Sequence, residues 1–161
     1  MLILGLDPGT ATTGYGLVRE TDDGLAAVDY GVITTTPAAV MPDRLLHIYE
    51  KITALIQKYQ PQQIAIEQLF FGKNVTTGIT VAQARGVMLL AAAQHQLSIY
   101  EYKPMQVKLS ISGYGGADKI QMQVMIQQLL NLDSPPRPDD AADALAVAIT
   151  HLNSTRFERM I

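Results

Sequence analysis

Apolar runs at strand spacing and apolar stripes at helix spacing follow one another along this chain in an order that admits few folds. Residues 2–7 (LILGLD) are continuous and apolar, and 13–20 and 25–34 follow as strand patterns with Asp22-Asp23-Gly24 turning between them. They predict an antiparallel meander. From Pro42 onward, Leu45, Tyr49, Ile52, Ile56 and Tyr59 recur about every 3.6 residues, which predicts a helix over 42–59 that begins on proline and stops before Pro61. A short strand at 63–67 (QIAIE), a loop at 70–74, a long helix at 76–95 and a strand at 98–102 (SIYEY) come next. A short helix over 104–110, a glycine break at 113–116 and helices over 117–130 and 139–152 complete the order. The expectation is one α/β domain over 1–161, a five-stranded mixed sheet flanked by helices, with a short tail at 153–161.

Composition removes several classes of function. Hydrophobic residues make up 48% and charged residues 17% of the chain, and no apolar run reaches the roughly 18 residues that a membrane span needs. The N-terminal apolar run is short, lacks a basic lead and ends in Asp-Pro-Gly, so it reads as a strand and not as a signal peptide. A cytoplasmic protein without a membrane partner is expected. With no cysteine there are no disulfides or thiolate metal sites, which leaves His, Asp and Glu as strong ligands. His47, His95 and His151 fall in helical stretches without ligand spacing. The net charge of −3 is unevenly spread: residues 1–67 hold four Lys/Arg against eight Asp/Glu, whereas 68–119 hold five against two. A basic middle of that size is by itself more often an ordinary solvated surface than a phosphate track.

Three groups of acids stand at element ends. In RPDDAADALAVAITH (137–151), Asp139, Asp140 and Asp143 crowd the start of an alanine-rich helix. Helix starts attract acids, and one Asp needs no further reason. Asp140 and Asp143, three apart, share a face where like charges repel, a conflict that a cation would remove. Asp7 ends the first strand, and Glu67 ends the fourth. Singly, Asp7 could be a turn-former and Glu67 a surface carboxylate. Jointly, acids from three segments at the carboxyl end of a sheet would make an all-oxygen cluster suited to Mg²⁺ or Mn²⁺.

Four stretches, GLDPGTATTGYGLV, IAIEQLFFGKNVTTGITVAQARGV, YKPMQVKLSISGYGGADKIQMQV and DDAADALAVAITH, resemble in order and spacing the sequence blocks of the RuvC Holliday-junction resolvases, over about residues 2–152. The resemblance implies an RNase H-like fold, a homodimer and Mg²⁺-dependent cutting of two opposed strands of a four-way DNA junction, leaving 5′ phosphate and 3′ hydroxyl ends. It also implies a branch-migration motor as working partner. It places catalytic, metal-holding acids at Asp7, Glu67, Asp140 and Asp143, around two ions with Asp7 bridging, and lysines at Lys108 and Lys119 near the scissile phosphate. Phe70 would stack on an unpaired base, and Lys73, Asn74 and Arg85 would touch backbone phosphates. Asp139 is an extra acid relative to the pattern, expected to cap the helix, and Phe71-Gly72 is a variable spot. The small and apolar residues Val81, Ala84, Val87, Met88 and Ala91 mark the long helix as the expected dimer interface. The competing class is a sugar-kinase or actin-type phosphate-binding lobe, whose first loop is also strand-Asp-x-Gly-Thr-strand. Such proteins need two lobes, and this chain has the length of one.

Overall fold

The computed structural model describes residues 1–69 and 72–161. Strands β1 (Leu2–Asp7), β2 (Thr12–Thr21), β3 (Gly24–Thr34), β4 (Gln63–Glu67) and β5 (Ser98–Tyr102) form one sheet in the order β3-β2-β1-β4-β5. The first three are the expected antiparallel meander, while β1, β4 and β5 run parallel. Helices α1 (Met41–Tyr59) and α2 (Val75–Gln94) cover one face of the sheet, and α5 (Asp139–Met160) crosses the other, backed by α3 (Pro104–Ser112) and α4 (Lys119–Leu129).

Side-chain alternation along the strands decides what faces what. Leu2, Leu4 and Leu6 of β1 and Ile64 and Ile66 of β4 point into the cluster shared with α1 and α2. Ile3 and Ala65, one register step away, point into the cluster shared with α5. A period of two then obliges Asp7 and Glu67 to emerge on the α5 side, where both strands end.

Glycines on that side let α5 come unusually near. Gly5 pairs with Gly16 across β1 and β2, and Gly14 pairs with Asp7. A Cβ at Gly14 would stand 1.9 Å from the Asp140 carbonyl oxygen, and one at Gly5 would stand 2.0 Å from that of Ala144. The helix answers with Ala141, Ala144 and Ala148, all fully buried. From Ala144 to Leu152 every residue is buried, so α5 is apolar all round because it is surrounded. Its inner half is tied by His151. The Tyr102 hydroxyl lies 2.6 Å from Nδ1, Gln63 Oε1 lies 2.7 Å from Nε2, and the ring stacks on Tyr100 at 4.3 Å between centroids. Because Gln63 Oε1 can only accept, the proton sits on Nε2 and the hydroxyl donates to Nδ1. Burial lowers the His151 pKa, which keeps the imidazole neutral.

Two expectations need correction. The last helix continues to Met160, past 152, because Arg156 and Arg159 each reach Glu20 of β2 at 2.9 Å and draw the tail onto the sheet. On α2, the face carrying Ala84, Met88 and Ala91 is buried in this chain's own core, with Val87 packed against it. It is therefore not the free face for a second copy. The outward stripe is Val75, Ile79, Gln83, Gly86 and Leu90, with Val75 60%, Ile79 52% and Leu90 54% exposed. By length and mean hydropathy (1.3) α2 matches a membrane span, although no single apolar run in it is that long. Here it forms a layer of the α/β sandwich, with Arg85 paired to Glu101.

The glycine contact yields a direct test. Gly14→Ala should destabilise the chain by about 1–3 kcal/mol, the usual range for overpacking a well-packed site. Gly72→Ala, where an added Cβ meets nothing within 4 Å, should leave stability nearly unchanged. Chemical denaturation of the two variants beside the parent chain measures both, and equal midpoints would remove the close-approach argument.

Candidate active site

The site begins where β1 stops. After Asp7 the chain turns through Pro8 and Gly9, where a Cβ would stand 2.2 Å from the Thr12 carbonyl oxygen. Hydroxyls then fix the turn: Thr13 donates to the Gly9 carbonyl at 2.6 Å and Thr10 to the Thr80 carbonyl at 2.7 Å. Asp7 is thus held by the sheet on one side and a pinned loop on the other. Across from it, the first two turns of α5 present Asp140 and Asp143. Ligand oxygens of Asp7, Asp140 and Asp143 all lie within 4.8 Å of one another.

Glu67 joins from β4, outside that trio but inside its field. Asp7 is pushed up to about 8, first by burial and then by Asp143, Asp140 and Glu67, with a hydrogen bond to Asp140 adding to the effect. Glu67 is raised first by burial and then by Asp143, with Lys108 opposing. Asp143 is also raised by burial, which the Lys119 ammonium opposes and Asp140 and Asp139 reinforce. Adjacent buried carboxylates cannot all ionise at once unless a cation offsets their charge. Its donors are exclusively carboxylate oxygens, which fit a hard divalent cation that keeps several waters.

A cleft of about 290 Å³ opens beside the cluster. Glu67 and Asp143 line it together with Lys108 of α3, Lys119 of α4 and Asp118. The structure therefore brings both sequence-predicted lysines to the acids. A larger cavity of about 490 Å³ lies on the other side of the sheet between β2, β3 and α1, lined by Tyr15, Ile33, His47, Lys51 and Lys58, and none of the carboxylates opens into it.

The remaining expectations fare differently. Asp139 does not cap α5, because Pro138 occupies the N-cap position and makes no side-chain cap bond. Asp139 instead pairs with Lys119 at 3.1 Å and accepts from Gln123 at 2.8 Å, which in that order hold its carboxyl below the usual range. Sequence reading overlooked Gln123; its spacing of four from Lys119, which puts both on one face of α4, was the available signal. Asn74 caps α2, its side chain accepting from the Thr77 amide at 3.2 Å. Arg85 is not brought to the cleft: its side chain is 16% exposed and bound to Glu101, which ties α2 to β5. Lys73 is exposed just before α2. Phe70 lies outside the described residues.

Comparison with known proteins agrees with this geometry. The family described as crossover junction endodeoxyribonuclease RuvC matches residues 3–151. A crossover junction endodeoxyribonuclease RuvC of Roseiflexus sp. is 54% identical over 158 residues, covering 98% of this chain and 94% of the relative. One from Desulfitobacterium hafniense is 54% identical over 157 residues, covering 98% and 95%. The structure of Thermus thermophilus RuvC in complex with a Holliday junction substrate superimposes with a TM-score of 0.94 at 31% identity, covering 98% of this chain and 96% of that one. A sheet of this order, a trio of carboxylates grouped beside a cleft that Glu67 also lines, and a family match across nearly the whole length lead to one conclusion: the chain belongs to the RuvC family of crossover junction endodeoxyribonucleases.

Proposed function

We propose that this chain cuts four-way DNA junctions, hydrolysing one phosphodiester on each of two opposed strands and leaving 5′ phosphate and 3′ hydroxyl ends that a ligase can seal. The observation that carries the reading is the grouping of Asp7, Asp140 and Asp143 within 4.8 Å, beside Glu67 and two lysines. These four acids would hold Mg²⁺, two ions per site, with Mn²⁺ as a substitute. Divalent cations bound there lower the pKa of water and stabilise charge on the leaving 3′ oxygen. The chain's own residues do the rest. Asp7 is the acid that all the others crowd. Lys108 and Lys119 would draw the phosphate down onto the acids, and Asp139 holds the Lys119 ammonium in place until the phosphate arrives. Lys73 and the N-terminus of α2 would position the backbone without reading sequence. Phe70 is assigned base stacking by the family resemblance. A sugar-kinase-type lobe would have no use for Glu67, Asp140 and Asp143 together.

Two incisions need two sites, so we propose an isologous homodimer formed through the outward stripe of α2. Gly86, with open space where a Cβ would be, lets two such helices come close. Because the cleft is fixed to the sheet, the crossover has to be brought to it, and a branch-migration motor in the cytoplasm is the partner suited to that.

Three outcomes are expected. Asp7→Asn, Glu67→Gln, Asp140→Asn and Asp143→Asn should each lower cleavage of a synthetic junction by orders of magnitude while junction binding persists; Asp139→Asn, whose amide oxygen can still accept from Gln123 and Lys119, should stay within a few-fold of the parent. Gel-shift and cleavage assays on one substrate separate the two effects, and joint loss of binding and cleavage would count against the assignment. Ile79→Arg should convert the dimer to a monomer in sedimentation and uncouple the paired incisions, whereas a dimer that persists would place the interface elsewhere. The third outcome concerns pH. Asp7 holds its proton to about 8 in the folded chain against an ordinary 3.8, so the native state binds more protons than the unfolded state between those values. Stability of the metal-free chain should therefore fall as pH rises through that window. Saturating Mg²⁺ should reverse the fall, because it binds the ionised folded form. Melting curves in chelator and in Mg²⁺ across that range measure it, and a flat profile in chelator would show that the acids do not repel as described.

A further inference from the structure

We propose that Tyr114 is a nucleobase-stacking contact at the mouth of the cleft, seating the strand next to the phosphate that is cut; the inference rests on the junction-cutting reading above. Tyr114 belongs to Gly113-Tyr114-Gly115-Gly116, the connection between α3, which carries Lys108, and α4, which carries Lys119. Its side chain is not part of the core: the residue is 64% exposed.

The loop nevertheless fixes its backbone. The Tyr114 amide donates to Ser112 Oγ at 3.1 Å, and that oxygen lies 2.8 Å from both the Lys108 and the Tyr114 carbonyls. The Ala117 amide donates to the Tyr114 carbonyl at 3.2 Å, and Ala117 lines the cleft. The Tyr114 backbone is thus one hydrogen bond from the cleft wall. The glycines around it have steric reasons. Gly113 ends α3 at φ 72°, in the left-handed region. At Gly116 a Cβ would stand 2.6 Å from the tyrosine ring, and at Gly115 one would stand 2.3 Å from the Met105 sulfur. The ring leans on bare backbone at Gly116 and is otherwise turned to solvent.

Exposing an aromatic ring on an ordered loop forgoes burial, so its chemistry suggests a ligand. Met105 at 56% and Leu109 at 50% exposure lie beside Gly115 and continue the apolar rim, and Lys108 and Lys119, with Asp118 between α3 and α4, line the cleft next to it. Apolar faces interleaved with ammonium groups match single-stranded nucleic acid, whose bases stack while its phosphates pair. A protein partner fits less well, because lysine is depleted at interface cores. Unpaired or loosened bases at a junction centre supply the free faces that such a ring needs.

The test uses the full-length protein on a synthetic four-way junction with 2-aminopurine beside the scissile phosphate. In an Asp7→Asn background, which binds without cutting, the fluorescence of the probe should be quenched by the parent ring, quenched equally with Tyr114→Phe, and quenched much less with Tyr114→Ala. In the active background, single-turnover cleavage should fall roughly five- to hundred-fold for Tyr114→Ala, the equivalent of one lost base stack, and stay near the parent for Tyr114→Phe. Unchanged quenching and rate in Tyr114→Ala would overturn the proposal. So would a change in self-association alone, which would assign the rim to a protein partner. If the parent chain did not cut the junction, the functional reading itself would fail; if it cut and Tyr114→Ala cut equally well, only this inference would.

Discussion

The close seat of α5 on the glycines of β1 and β2 is the contact on which the rest of the molecule depends. A helix normally packs on a sheet through side chains of both, at a spacing they set. Here Gly5, Gly14 and Gly16 supply none, and the helix backbone descends until carbonyls of Asp140 and Ala144 occupy the positions that Cβ atoms would take. That descent carries Asp140 and Asp143 to the height of Asp7. A methyl group at Gly14 would lift the very turn of α5 that bears Asp140, so packing and site geometry are one constraint seen from two sides.

Such a seat must resist the repulsion it creates. Burial and neighbouring charge both raise Asp7, Glu67 and Asp143, so the acid end of α5 is the end under strain. The restraints on the helix lie farther along. His151 bonds to β4 and β5 through Gln63 and Tyr102, the segment from Ala144 to Leu152 is wholly buried, and Arg156 and Arg159 fasten the last turns to Glu20. A neutral imidazole suits this position, since a charged one would need a counter-ion inside the core. The ion pairs at the far end are exposed and individually weak. Their effect is to extend the helix, and the buried stretch between is what fixes the acids.

Much of this was readable without coordinates, and the reason is periodicity. Alternation along β1 and β4 puts Asp7 and Glu67 on the same side of the sheet, and a spacing of three puts Asp140 and Asp143 on the same side of a helix. These rules are local, so sequence alone carries them. What escaped was set by distant partners. Nothing near Arg85 in the chain announces Glu101, and nothing near residue 152 announces that Glu20 will extend the helix. The inward face of α2 was misread because the helix has apolar residues on several faces; Ala84 and Met88 look no different in sequence from Ile79 and Leu90, and only the position of α1 separates them. Asp139 looked like a cap because it opens a helix, whereas a proline already held that place and α4 supplied two donors.

The two kinds of charge are carried by different layers. All four acids ride on the sheet and α5, which meet backbone to side-chain-free backbone at the glycines, while Lys108, Lys119 and Tyr114 ride on α3, α4 and the loop joining them. Metal coordination tolerates little displacement, so its ligands belong on elements that cannot move apart. A phosphate and a base vary in approach, and groups that meet them gain from a layer attached by fewer contacts. Val107, Ile111 and Ile126 fasten that layer to the α5 core, and Asp139 fastens it at the site by binding Lys119 and Gln123 together. The acid that seemed surplus to the metal site is thus the joint between the part of the protein that would hold the cations and the part that would hold the DNA.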